Sequence, residues 1–278
     1  MKYQDWKKVK QIEQTFLNSL ERLCKMFGMV AKGAGSNYTQ FLNAMGRLQN
    51  SQAYKNYINT TLLRMLKPIA RQNQAVWKRA MASHKGSKLM YKYLMEELKK
   101  GTGRAIQSQL LQNAALISTL PMDVAQKVVN DVTSEAYKGK RAEEIATIIQ
   151  EQTSKHSRAS ARLIARTEVS KANTALTKAR AEEVGLRWYV WRTAEDGDRV
   201  RKSHRNMEGV IVNWNEPPSP EALVGEPSVG NYHAGNIWNC RCYPSPIIDE
   251  EDVPSNPRVY YQGKIQKMSK EKFMKELF

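Results

Sequence analysis

Helical periodicity covers most of the first 184 residues and then stops. Apolar side chains recur at three- and four-residue steps from Trp6 to Phe27, which predicts an amphipathic helix. Similar spacing predicts further helices over about 38–49, 51–66, 68–83, 87–100, 103–118, 122–137, 142–152 and 157–184. After Gly185, residues 187–193 are aromatic and β-prone, and 210–212 form a second β-prone run. The sequence therefore predicts an α+β protein, with a mostly helical N-terminal region and a small mixed α+β C-terminal domain.

Turn-forming residues place the boundaries inside this pattern. Thr119-Leu120-Pro121 interrupts the helices, which predicts a helical region over 1–120 and a second domain over 121–247. Asp198 is suited to N-cap a short helix that runs through His204, and Gly209 then turns the chain into the second strand. A loop rich in Pro and Gly follows over 217–238. Residues 248–278 are predicted to be a charged tail that lies along another subunit.

Charge is distributed unevenly along the chain. The formal net charge is +17, and residues 1–150 hold 24 basic against 10 acidic side chains. Between Arg22 and Met95 there are 13 Lys and Arg and no carboxylate. Ordinary helical surfaces mix signs, because oppositely charged pairs one turn apart are stabilising and like-charged pairs are not. A long surface of one sign is better explained by a polyanionic partner than by a need for solubility.

The basic run therefore predicts non-specific binding to double-stranded DNA through phosphate contacts. The candidate side chains lie on or next to the predicted helices of the run: Arg64, Lys67, Arg71, Lys78, Arg79, Lys85, Lys88 and Lys92. Aromatic neighbours such as Trp77 could stack on bases, but at helical spacing we expect them in the core.

Three residues form a candidate metal site, namely His204, Cys240 and Cys242. Zinc accepts Cys and His ligands in tetrahedral sites, and a Cys-x-Cys segment can contribute two thiolates. His233 is a candidate fourth ligand. The alternative, which we favour from sequence alone, is two small buried thiols with His204 hydrogen-bonded nearby and no cofactor. Three cysteines cannot build a disulfide framework.

Four short motifs stand in a fixed order. They are Ala165-Arg166-Thr167-Glu168 in a helix, Trp191-Arg192-Thr193 in a strand, a segment from Asp198 through His204 to Gly209, and Asn239-Cys240-Arg241-Cys242. In this order they resemble the phage Mu F-like head-morphogenesis family over about residues 120–247. Asp196 is an alternative to Asp198 for the family's Asp position, but the following Arg199-Val200-Arg201 favours Asp198.

The resemblance implies a minor head protein of a tailed phage, made in the bacterial host cytoplasm and packed inside the head. Its implied partners are portal, capsid or scaffold proteins and packaged DNA. Other members of the family often carry Cys-x-x-Cys where this chain has Arg201 and His204. Arg201 here takes the place of one ligand of such a four-ligand metal set.

The residues argue against an enzyme. Arg166 and Glu168 are two positions apart on a helix and do not face each other, so we expect structural roles such as a Glu168–Lys171 pair. A nuclease needs clustered acidic and His ligands, and a transferase such as an ADP-ribosyltransferase would need a Glu-x-Glu loop. Neither pattern is present. The alternative to a head protein is a free nucleic-acid-binding protein.

Two further expectations concern surroundings. The chain has no run of about 18 apolar residues, so we expect no membrane partner. Trp188 and Trp191 are expected to be exposed and to anchor a protein partner, because aromatic residues are common at interface centres.

Overall fold

The computed structural model describes residue 6 and residues 10–83, 103–136, 140–194 and 200–278. These residues fall into two compact units. Unit 1 contains the described residues of 1–9, 68–107 and 166–278, and unit 2 contains those of 10–67 and 108–165. The predicted boundaries at residues 120 and 247 do not coincide with the limits of the units. Among the described residues, no helix is both long enough and apolar enough to cross a membrane.

Helices account for the first part of the described chain. They are α1 Lys10–Ala34, α2 Tyr38–Asn50, α3 Gln52–Ser83, α4 Gly103–Ser118, α5 Leu120–Ala136 and α6 Ala142–Glu183. Phe16, Leu20 and Phe27 on the predicted apolar stripe of α1 are buried, as the periodicity requires. Asn37 caps α2 by accepting a hydrogen bond from the backbone N–H of Gln40 at 2.9 Å. The helix predicted over 87–100 lies outside the described residues.

Two predicted breaks between helices are wrong. Helix α3 continues through Pro68, which was predicted to begin a new helix. Helix α6 runs without interruption through residues 152–157, where we predicted a gap. There the buried positions are polar: Thr153 and Ser157 are fully buried and donate hydrogen bonds to the carbonyls of Ile149 and Ser154. A helix that buries hydroxyls in this way shows no apolar period at that point.

The C-terminal part of unit 1 is built on one mixed sheet. Its strands are β1 Trp188–Arg192, β2 Val210–Asn213, β3 Tyr243–Pro246, β4 Arg258–Tyr261 and β5 Lys264–Lys267, in the spatial order β3-β1-β2-β4-β5. Only β2 and β4 pair in parallel. Two short helices complete the unit, α7 Lys202–Met207 and α8 Lys270–Glu276. Helix α7 starts four residues after the predicted N-cap, Asp198, which lies outside the described residues.

Both faces of the interior strand β1 are buried. Tyr189 and Trp191 point into one apolar cluster of unit 1, which also contains Trp77, Met207 and Trp214. Trp188 and Val190 point into a second cluster, where Phe273 of α8 closes the other face. The rings of Trp188 and Phe273 meet edge-on at 5.3 Å. The exposure predicted for Trp188 and Trp191 is wrong, because each face of β1 has its own cover.

Residues 248–278, predicted as a charged tail, are folded onto this sheet. They supply β4 and β5, and α8 buries Phe273 fully against the second cluster. The indole N–H of Trp188 also donates to the carbonyl of Leu277 at 3.0 Å. The segment is therefore a structural part of unit 1 rather than a free extension.

Candidate functional site

The loop that carries Asn239, Cys240 and Cys242 is fixed to helix α6 by side chains of that helix. Arg166 donates to the side-chain oxygen of Asn239 at 2.7 Å, and the hydroxyl of Thr167 accepts from the backbone N–H of Asn239 at 3.0 Å. Asn239 has a φ of +59°, a left-handed conformation that Asn tolerates better than most residues. The Ala165–Glu168 motif thus positions the Asn239–Cys242 motif.

Gly235 allows this loop to approach α6 closely. It has a φ of +82°, and a Cβ there would lie 2.7 Å from the hydroxyl of Thr174 and 2.8 Å from the carbonyl of Cys242. The Thr174 hydroxyl in turn donates to the carbonyl of Ala234 at 2.7 Å. No side chain fits at position 235 without moving the loop away from the helix.

His204 on α7 meets the two thiols of the loop. Its Nδ1 lies 3.5 Å from the Sγ of Cys240 and 3.4 Å from the Sγ of Cys242. All three ligand atoms lie within 4.8 Å of one another, and all three residues are buried. The structure therefore brings together the three candidate metal ligands that the sequence indicated.

A buried relay holds the other side of the His204 ring. Its Nε2 lies 2.9 Å from the hydroxyl of Tyr232, which lies 2.7 Å from both carboxylate oxygens of Glu221. Ser203 also donates to Glu221, at 3.2 Å. Because a carboxylate only accepts, the Tyr232 proton is directed to Glu221, and the Tyr232 oxygen accepts from His204 Nε2–H. In the neutral ring this arrangement leaves the Nδ1 lone pair facing the two sulfurs.

The two thiols differ in acidity. A hydrogen bond from Cys242 lowers the pKa of Cys240 well below its usual value, and the neighbouring His204 acts in the same direction. The same contact with Cys240, together with burial, raises the pKa of Cys242. Cys240 is therefore the more readily ionised thiol of the pair, and the thiolate is the form that binds metal or attacks as a nucleophile.

A pocket of about 150 Å³ opens onto this cluster. Besides His204 and the two cysteines it is lined by Ala194, Val200, Arg201, Asn239 and Arg241. The guanidinium of Arg201 donates to the carbonyl of Trp238 at 2.9 Å and lies 5.8 Å from the centre of that ring. The polar lining gives any atom bound between the sulfurs access to solvent.

His233 does not join the cluster. Its ring packs against Tyr189 and Trp214, and its Nδ1 lies 3.2 Å from the hydroxyl of Tyr189. Burial lowers the pKa of His233 to about 4, and the nearby Lys178 charge acts in the same direction. The candidate fourth ligand is therefore a packed, neutral ring.

The carboxylate of Glu168 is buried beside the ammonium of Lys171, 3.3 Å away, as the sequence predicted. Burial raises the pKa of Glu168, and Lys171 opposes that shift. Arg166 meets Asn239 rather than Glu168. The two charged residues of the motif therefore have separate structural contacts.

Gly209, with a φ of +75°, turns the chain from α7 into β2, as predicted, and its N–H donates to the carbonyl of Trp191 at 2.9 Å.

Comparison with known proteins supports the resemblance. Residues 126–244 match the family model described as phage Mu protein F like protein. This segment belongs to that family. An uncharacterized protein of Haemophilus influenzae is 35% identical over 159 residues, which cover 56% of this chain and 33% of the relative. The chain thus spans about a third of the length of that relative. No solved structure matches.

The Mu F-like segment contains all four motifs from which the resemblance was drawn, so the predicted family is confirmed. The segment includes the three candidate metal ligands, the relay behind His204, and helix α6, which positions the loop with the two cysteines. It excludes most of the basic run, which lies before residue 126.

The candidate DNA-binding side chains are mostly at the surface. In unit 2, Arg64 and Lys67 are exposed on α3; in unit 1, Arg71 and Arg79 are exposed and Lys78 is half-buried. Trp77 beside them is fully buried, which confirms its prediction as a core residue. Lys85, Lys88 and Lys92 lie outside the described residues.

The relay residues Tyr232 and Glu221 were missed by reasoning from the sequence. Both lie in the Pro- and Gly-rich loop, where no periodicity distinguishes a buried side chain from an exposed one. Buried carboxylates are rare unless paired, so Glu221 carries no signal until Tyr232 and Ser203 are seen around it. In the same loop Trp238 is exposed, with about half of its surface accessible.

Proposed function

We propose that this protein is a minor structural component of a tailed-phage head, associated with the portal and the packaged DNA in the head interior, and that it acts in head assembly and in genome packaging or delivery. The observation that carries the proposal is the match of residues 126–244 to the phage Mu protein F like family. That match indicates the head; the finer role rests on the surfaces described below.

The basic helices support contact with DNA. Between Arg22 and Met95 no carboxylate opposes the positive charge, and Arg64, Lys67, Arg71 and Arg79 are exposed. Like charges along one helix repel each other unless a polyanion is close. Phosphate contacts of this kind bind duplex DNA without reading its sequence.

The Trp238 surface supports docking to another head protein. Its half-exposed indole lies against the Arg201 guanidinium, and Trp and Arg are the side chains most often found at the energetic centre of interfaces. Trp238 takes the role of anchoring a protein partner, which was predicted for Trp188 and Trp191. Those two residues are buried. The partner that we propose for it is the portal, a capsid protein or a scaffold protein.

The charged motif residues support a non-enzymatic role. Arg166 is engaged with Asn239 and Glu168 is buried beside Lys171, so neither is directed at a shared substrate position. We therefore keep the proposal that the protein is not an enzyme. Its test is the absence of nuclease and ADP-ribosyltransferase activity in the purified full chain.

Charge reversal tests the DNA surface. We expect Arg64, Lys67, Arg71 and Arg79, all changed to Glu, to lose binding to duplexes of any sequence alike. If all four contact phosphates, they account for about a hundredfold of the affinity that wild type loses between about 50 and 200 mM salt, at a slope near −0.9 per phosphate. Fluorescence anisotropy over a salt series measures both quantities.

The matched control reverses four exposed lysines away from the basic run, Lys264, Lys267, Lys272 and Lys275. It has the same net charge as the test variant and should keep the wild-type salt slope. Equal losses in the two variants would reduce the effect to net charge. Wild-type binding that is absent or independent of salt would end the DNA proposal.

Incorporation into particles tests the docking surface. The change Trp238→Ala should lower the number of copies per purified head, whereas the charge-reversed variant should enter heads normally but impair packaging or delivery. Leu163→Ala, which changes a similarly exposed apolar residue, is the control. Normal copy number for Trp238→Ala would make the docking assignment wrong. Absence of the wild-type protein from particles would leave a free nucleic-acid-binding protein.

A further inference from the structure

We propose that His204 Nδ1, Cys240 Sγ and Cys242 Sγ bind one Zn²⁺ ion, with a solvent molecule from the adjoining pocket as the fourth ligand. The site joins α7 to the loop before β3. The proposal does not rest on the assignment to a phage head, and the two can fail separately.

The spacing of the three atoms fits the ion. Zinc bonds of about 2.3 Å to sulfur and 2.1 Å to nitrogen, at tetrahedral angles, place a sulfur and a nitrogen about 3.6 Å apart. The observed separations are 3.5 and 3.4 Å. Both sulfurs lie within 3.5 Å of the same ring nitrogen, so the three ligand atoms converge on one point. A metal ion satisfies all three atoms together.

The relay behind His204 selects the ligating form of the ring. Glu221 takes the Tyr232 proton, Tyr232 takes the proton on Nε2, and Nδ1 is left with a free lone pair. Metal-binding histidines characteristically donate their second N–H to a carboxylate or another acceptor, which fixes the tautomer and the ring direction. Tyr232, Glu221 and Ser203, which donates to Glu221, are all buried, so the site lies in the protein interior and is not a surface cluster.

The pocket supplies the fourth position. With a volume of about 150 Å³ it has room for water beside the ion, since a water molecule occupies about 30 Å³ in the liquid. Arg201, which stands in the pocket wall, cannot coordinate a cation. Three protein ligands with one open position are the arrangement in which zinc keeps an exchangeable ligand.

Metal analysis of the purified full chain is the first test, and we expect about one zinc equivalent per chain. Cobalt should replace the zinc and produce a thiolate-to-cobalt charge-transfer band and the intense visible absorption of a four-coordinate ion. Azide added to the cobalt form should shift the visible bands, because the fourth ligand is exchangeable. Titration of the wild-type protein with a mercurial should release the zinc as two thiols react.

Variants locate the site. Cys240→Ser and Cys242→Ser should each lose the charge-transfer intensity of one sulfur, whereas Cys24→Ser, a buried thiol in unit 2, should keep both. Tyr232→Phe retains every ligand and should weaken zinc binding about tenfold through loss of the Nε2 acceptor. Tyr261→Phe, on β4, is its control and should bind zinc as wild type does.

Three results would overturn the proposal. A folded wild-type chain with no zinc that also takes up no cobalt would leave two packed thiols. Cobalt spectra that azide does not change would show a closed site and remove the solvent ligand. A charge-transfer band that Cys24→Ser abolishes, and the other two serine variants keep, would place the metal elsewhere. Because the mercurial and azide experiments use wild-type protein, misfolding of a variant does not affect them.

Discussion

The first part of α6, in unit 2, and the interior of unit 1 satisfy their buried polar groups over very different distances along the chain. In the α6 part of unit 2, Thr153 and Ser157 donate to carbonyls of their own helix, three or four residues away. In unit 1, Asn73 donates to Asn173 and Thr177, about 100 residues later, and His204 meets Tyr232 across a separation of 28 residues. Local partners come with the helix. Distant partners exist only once the fold has formed, so the polar interior of unit 1 is the more vulnerable to single substitutions.

The largest loss of stability that we expect is at Phe273, in the apolar cover of the sheet of unit 1. Phe273→Ala empties the second apolar cluster and should destabilise the protein by about 3–5 kcal/mol, the usual cost of a large-to-small change at a fully buried aromatic. Since the cluster covers only one face of the sheet, loss of protection should concentrate in β4, β5 and α8. Hydrogen exchange resolved by peptide measures this.

Phe41→Ala on α2 is the matched control, because Phe41 is also fully buried. It should raise exchange in α1 and α2 and leave β4 and β5 protected. If Phe273→Ala leaves β4, β5 and α8 as protected as in wild type, residues 248–278 are not held through this cluster, and the prediction of a tail that lies along another subunit returns.

The next effect depends on pH and on His233. Burial, assisted by the Lys178 charge, lowers the pKa of His233 to about 4, whereas an unfolded His titrates near 6.5. Between those two pH values the unfolded chain binds a proton that the native His233 ring does not bind. The free energy of unfolding therefore keeps this contribution in full above about pH 6.5 and loses it as the pH falls. A shift of this size corresponds to about 3 kcal/mol by pH 4.

His233→Gln should remove this part of the loss of stability at low pH. Chemical denaturation of wild type and variant at a series of pH values from 7 to about 4 gives the difference in unfolding free energy. The variant should be the less stable at pH 7, where it loses the fitted ring, and the gap should narrow or reverse on acidification. Parallel curves would mean that His233 binds protons equally in the native and unfolded states.

The sequence predicts the features that depend on residues close together along the chain better than those that depend on distant ones. The helices of the first half, the position of β1 and β2, and the family were predicted, because each rests on local spacing or on short motifs. The meeting of His204 with Cys240 and Cys242 was indicated by residue type alone. Tyr232 and Glu221 could not be predicted, since a loop without periodicity does not show which of its polar residues are buried.

The errors have specific physical causes. Trp188, Tyr189, Val190 and Trp191 form a continuous apolar run, the pattern of a strand buried on both faces. The run was interpreted as exposed because the cover of the second face, Phe273, lies in a segment predicted to be a tail. Pro68 was placed at a helix start because proline costs a helix one hydrogen bond and a steric clash. Packing along α3 outweighs that cost.

The smallest effect concerns a buried hydrogen bond of unit 2 whose partners are far apart along the chain, at Tyr54. Its fully buried hydroxyl donates at 2.7 Å to the carbonyl of Ile117, one of the last four carbonyls of α4, which have no partner within the helix. Tyr54→Phe should therefore cost about 1 kcal/mol, the net value of a hydrogen bond whose acceptor loses this partner in the interior. Tyr57→Phe removes a similar bond, 2.9 Å to the carbonyl of Ser19, at a half-buried position. There water can replace the hydroxyl, so the cost should be closer to zero. Urea denaturation of the two variants beside wild type measures both. Equal costs would show that burial does not set the value of these bonds.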